Sequence, residues 1–152
     1  MSCRSRSSLL SLLALSVGAA IAVPAAAAAD ATPAQKVPLT QTNRDCSGIG
    51  IGAPAAEAHG FAVVIKAASG KLVANVVLQN AEPNATYNIR LIQILPDSSD
   101  CATVDGTVTT DAAGDGNANV QEPVLPGATA AWVDLNNQAD FTHFFDTGPV
   151  TF

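Results

Sequence analysis

From His59 onward, apolar and polar residues alternate at period two. Phe61, Val63 and Ile65 share one parity. After the turn Ala68-Ser69-Gly70, Leu72, Ala74, Val76 and Leu78 do the same. Successive side chains of an extended strand point to opposite faces, so this pattern predicts two strands joined as a hairpin. Pro83-Asn84 marks the next turn. Tyr87, Ile89 and Leu91 open a third strand, and Arg90, Ile92 and Ile94 take the opposite parity. That arrangement predicts a switch of buried face near Leu91, as at a bulge.

The Thr- and Val-rich stretch 102–110 places Val104 and Val108 on one face. A turn over 111–116 and a short return strand over 117–121 follow. Pro126-Gly127 is another turn signal, and residues 128–135 form a strand holding Trp132, expected to pack between sheets. Residues 141–145 and 150–152 complete the set. No stretch after residue 29 carries a sustained helical period. The fold expected is all-β: an antiparallel, immunoglobulin-like β-sandwich of about 7–8 strands.

Ahead of this domain the pattern is different. Arg4 and Arg6 precede an apolar run from Leu9 to Val23, Pro24 breaks it, and Ala27-Ala28-Ala29 supplies small residues. A basic start, an apolar stretch and a small-residue cleavage site make a signal peptide over 1–29. The competing reading is an uncleaved anchor, but the second half of the run is mostly alanine, and its strongly apolar part is too short for a span. Residues 30–45, with Pro33 and Pro38, read as a linker or extended arm offering at most one edge strand. Residues 46–152 form the β-sandwich domain. The localisation expected is secreted, or in the cell envelope.

Cleavage changes both charge and cysteine arithmetic. All thirteen acidic residues stay, whereas loss of Arg4 and Arg6 leaves five of the seven basic ones, a net charge of −8. Such a surface repels phosphate backbones and anionic lipid, so no nucleic-acid partner and no membrane insertion after cleavage are expected. Cys3 leaves with the leader, and the remaining Cys46 and Cys101 are expected to form one disulfide.

The string Thr109-Thr110-Asp111-Ala112-Ala113-Gly114-Asp115-Gly116 resembles a hairpin of exported bacterial immunoglobulin-like domains. Asn84-Ala85-Thr86-Tyr87 resembles a strand entry of the same class. The outline is also similar to the apoproteins of the enediyne chromoproteins, which are exported sandwiches that usually carry two disulfides, where this chain has residues for one. The resemblance covers Gly60 to Leu135. It implies a sandwich and, through the chromoproteins, a small-ligand carrier; no functional residue is carried over.

Candidate chemistry is sparse. Asp111 and Asp115 take the first and fifth positions of a twelve-residue calcium loop, Gly116 the sixth, and Glu122 the twelfth, with Asn117 and Asn119 adding oxygens between. Ala113 replaces the third ligand, and the flanks read as strands where this motif needs helices. The competing reading is an Asp-Gly hairpin turn, so no metal and no cofactor are assigned. Gly48, Gly50 and Gly52 lack phosphate-loop spacing, and there is no GxSxG. His59 and His143 stand in no ligand pattern. Phe141, His143, Phe144 and Phe145 put aromatic residues on both parities and are the candidate contact surface. The function expected is a non-catalytic binding module with an unknown extracellular or envelope ligand. A structural or adhesion protein and a small-ligand carrier are the alternatives, and a small hydrolase ranks last.

Overall fold

The computed structural model describes residues 30–97 and 99–152. The expected signal peptide over 1–29 lies outside these residues. Among the described residues nine strands follow one another without an intervening helix: β1 (Gln35–Thr40), β2 (Ala58–Lys66), β3 (Lys71–Leu78), β4 (Thr86–Ile94), β5 (Gly106–Thr109), β6 (Gly116–Pro123), β7 (Ala130–Asn137), β8 (Phe144–Asp146) and β9 (Val150–Thr151). They pair antiparallel in the order β5-β4-β7-β8-β1-β2-β3-β6, with β9 added to β7.

Hydrophobic alternation sets the registers. Leu72, Ala74, Val76 and Leu78 of β3 all point inward, as their shared parity requires. They meet Tyr87, Ile89, Leu91, Val133 and Leu135 from β4 and β7 in one apolar core. The β2–β3 hairpin turns at Gly70 (φ +77°), whose N–H donates to Ala67 O at 3.0 Å. Only glycine adopts that conformation without penalty.

Two halves of the path, β5-β4-β7-β8 and β1-β2-β3-β6, meet at a single Cα pair, Thr40 with Asp146. At the far ends, β5 and β6 lie side by side: a Cβ on Gly106 would come within 2.7 Å of Val120 Cγ1. The sheet is therefore nearly closed into a barrel, and its two edges shield each other.

Four sequence expectations change. The arm over 30–45 contains β1, which pairs along its length with β2, meets β8 only at Thr40 and buries Leu39 completely, so the β-domain begins before residue 46. On β2 the inward residues are Ala62 and Val64, while Phe61, Val63 and Ile65 are half-buried on the opposite face. Lys36 covers the Phe61 ring with its ammonium 3.7 Å from the centroid. There is no bulge at Leu91, since β4 and β7 pair without a shift from Tyr87–Asn137 to Ile94–Ala130. Both faces of β4 are buried there because chain from outside the sheet covers the outer one. Trp132 belongs to that outer face as well, while Ala131, Val133 and Leu135 fill the core.

Candidate functional site

The covering chain is the segment between β1 and β2. Arg44 pairs with Gly50 in an isolated bridge, and Asp45 Oδ1 accepts from the Ser47 and Ile49 N–H groups and the Ser47 hydroxyl. These bonds fold residues 43–51 into a tight loop. Gly48 sits over the sheet at φ +78°, and a Cβ there would lie 3.2 Å from Trp132 Cδ1 and 2.5 Å from Pro149 Cγ. The Cys46–Cys101 disulfide, predicted from the sequence, fastens this loop to the β4–β5 connection, with Cα atoms 5.8 Å apart.

Between loop and sheet is a cavity of about 360 Å3. Its floor is the outer face of β4, β7 and β8: Arg90 and Ile92, Trp132 and Asp134, Phe144 and Asp146. Alternate residues on neighbouring antiparallel strands point the same way, which is why these six share a face. Two ion pairs cross the floor. Arg90 Nη1 donates to Asp134 Oδ2 at 3.0 Å, and Arg44 Nε donates to Asp146 Oδ1 at 3.1 Å. Arg44 Nη1 also donates to Gly48 O at 3.0 Å, and Asn136 Nδ2 donates to Asp134 Oδ2 at 2.6 Å.

Burial raises the pKa of both carboxyl groups despite their arginines. For Asp146 the rise reaches about 7, with Arg44 opposing it and the neighbouring Asp134 charge adding to it. Asp134 is raised by burial, against its bond and charge interaction with Arg90. The Asp146 side chain is only 3% exposed.

Two nitrogens on this floor have no partner among the described residues: Trp132 Nε1 and Arg90 Nε. Trp132 is 3% exposed. A buried N–H without an acceptor costs about 1–3 kcal/mol, so native proteins pair such groups with protein atoms or ordered water.

The residues singled out from sequence scatter. Phe141 and Phe144 line the cavity, whereas Phe145 is buried in the core, 5.6 Å from the Tyr87 ring and 4.8 Å from His59. His143 lies apart, with Nδ1 3.2 Å from Asp140 and 3.5 Å from Glu82. The four residues 141 and 143–145 thus do not form one contact surface. In the Asp111–Glu122 stretch, Asp111 Oδ1 accepts from the Ala113 and Asp115 N–H groups, and Asp115 Oδ1 accepts from the Asn80 N–H. Asn117 lies early on β6, and Asn119 Nδ2 donates to Asn75. Glu122, at the other end of the strand, accepts from Gln93 at 2.8 Å. Six residues of extended strand span about 20 Å, so the hairpin draws Glu122 away from the two aspartates.

Sequence reasoning missed Arg44, Arg90, Asp134 and Asp146. The available signal was weak: Asp134, Arg90 and Trp132 share the parity opposite to the core residues of their strands. No protein-family model, no curated protein and no solved structure matches this chain.

Proposed function

We propose that this is an exported, non-catalytic binding domain that holds a small molecule in the cavity under the Cys46-bearing loop. The observation that carries the reading is a cavity of about 360 Å3 held between the disulfide-fastened loop and the outer face of β4, β7 and β8, with Trp132, Phe141 and Phe144 in its wall. That volume is at the small end of ligand pockets, and the wall sets three aromatic side chains beside two arginine–aspartate pairs and other polar groups available to orient a guest. The disulfide supports an oxidising compartment outside the cytosol. The meeting of two sheet halves at one residue pair supports the immunoglobulin-like sandwich of the exported bacterial class.

Asp146, with its pKa near 7, has the protonation behaviour of a general acid. Its 3% exposure and its bond to Arg44 argue for a structural ion pair instead, because a catalytic acid must reach a substrate atom. Among the described residues the cavity wall offers no Ser, Thr, His, Lys or Tyr, and its two cysteines are tied in the disulfide.

A thermal-shift screen of small fragments tests the proposal, with Asn43→Phe as the blocked control. Asn43 is exposed at the cavity and outside both ion pairs. Fragments that raise the Tm of the wild type but not of Asn43→Phe are expected. A screen whose hits all persist in the variant, or that has none, overturns the reading.

One observation favours a second reading, contact with another protein: Phe141 is 67% exposed and Ile49 is 65% exposed. Concentration-dependent association lost in Phe141→Asp would favour that alternative.

A further inference from the structure

We propose that this protein associates head to tail with further copies of itself, the exposed isoleucines of the 43–51 loop of one copy docking on the outer face of β2 and β3 of the next. Ile49 and Ile51 form no part of the cavity wall, so this contact stands independently of the small-molecule reading.

The receiving face follows from the registers, because side chains directly opposite on paired strands share a face. Phe61 pairs with Val77, Val63 with Asn75, and Ile65 with Val73. Five of these six residues are apolar, all five half-buried, and they form a continuous patch two strands wide. Exposed amide side chains border it on β6, at Asn117, Asn119 and Gln121. On the other side Lys36 of β1 stands beside Val63. An apolar patch rimmed by polar groups is the usual form of a protein contact surface.

Charge marks this face out. From residue 30 onward acidic residues outnumber basic ones thirteen to five. Yet the positions paired onto the face hold Lys36 and Lys71 and no carboxylate. Neither lysine has an ion-pair partner among the described residues: Lys36 lies on the Phe61 ring, and Lys71 donates to Gln121.

The loop is the complement. Ile49 and Ile51 are 65% and 54% exposed. Asp45 lies across the loop from Ile49, and its bonds from Ser47 and Ile49 favour the ionised carboxylate. Exposed Asp97 lies near it, in the wall of a neighbouring surface hollow. The loop's own cation, Arg44, is engaged by Asp146 beneath. Loop against sheet face therefore sets apolar groups together and opposite charges around them, whereas either surface against itself opposes like charges.

The two surfaces point apart. The inward residues of β3 meet those of β4 and β7 in the core, and the loop covers the far side of β4 and β7. A docked copy keeps its own second surface free, so the contact adds copies in a line and does not close as a dimer.

Sedimentation of the purified protein from micromolar to millimolar concentration tests this. The average mass of the wild type is expected to rise past that of a dimer, and to fall again as added salt screens the lysine–aspartate attraction. Ile49→Asp spoils the loop and Val63→Asp the sheet face, and each alone is expected to weaken association by about tenfold or more. Lys36→Glu, at an exposed position, replaces Val63→Asp if that variant does not fold. An equimolar mixture of a loop variant and a face variant is expected to form a heterodimer and stop there, because one intact face meets one intact loop. A wild type that stays monomeric or stops at a dimer, a folded variant that associates like the wild type, or a mixture that stays monomeric overturns the proposal.

Discussion

Asp134 and Asp146 stand directly opposite each other across β7 and β8, and each is held by its own arginine from a different part of the chain. Arg90 comes from the neighbouring strand β4, whereas Arg44 comes from the covering loop. The second pair therefore fastens the loop to the sheet, alongside the disulfide. Removing Arg44 leaves Asp146 buried without a partner. Arg44→Ala is expected to destabilise the protein by about 2 kcal/mol, below the 3–5 typical of a fully buried pair because Arg44 is partly exposed. Urea unfolding of the two proteins measures the difference.

The pH dependence has a definite sign. The folded pKa of Asp146, about 7, is above its unfolded value near 4. Between those values the folded state binds more protons, so stability declines as pH rises through 7. Asp134 and Glu122, also raised by burial, act in the same direction. Asp45, Asp100, Asp111 and Asp140, lowered chiefly by hydrogen bonds, act oppositely, and their stabilisation is lost as pH falls below about 4. Maximum Tm is therefore expected on the acidic side of neutrality. Asp146→Asn is expected to flatten the decline between pH 5 and 8, as followed by thermal melts.

The Cys46–Cys101 bridge closes a separation of 55 residues. Such a loop is worth on the order of 4 kcal/mol in the chain-entropy model. Replacing both cysteines with serine is expected to lower stability by that order and to loosen the cavity wall. Mass measurement without reductant should find no free thiol at either position.

Gly114 closes the β5–β6 turn at φ +82°, and a Cβ there would lie 2.1 Å from Ala81 O. Its own carbonyl accepts from the Ala81 N–H at 3.0 Å. Gly114→Ala must therefore both strain the turn and push back the 81–85 segment. A loss of about 2 kcal/mol or more is expected in chemical denaturation. Calcium ligation plays no part in that expectation.

The hairpins were legible because their information is local. Alternation over 71–78 places four side chains in the core, and Asp111 to Gly116 spells out its turn. The bridge was legible from cysteine count alone. The cavity was not, because it depends on a non-local event, the folding of residues 43–51 over the outer face of β4 and β7. Without that cover Ile92 and Trp132 read as the far side of a strand, and Arg90 and Asp134 as solvated charges. The same cover explains why β4 buries both parities without the expected bulge. Pro38 pointed to an edge, and it pairs with Phe61 of β2 alone; the register shifts between Pro38 and Thr40, where β1 meets β8.

The chain contains one tryptophan, so its indole N–H gives a single resonance. Titration of the 15N-labelled protein with a fragment that raises the Tm of the wild type but not of Asn43→Phe follows the cavity wall directly. The expected result is a saturable shift of the Trp132 indole peak. An indole peak that stays in place while the protein is saturated would contradict the cavity as the binding site.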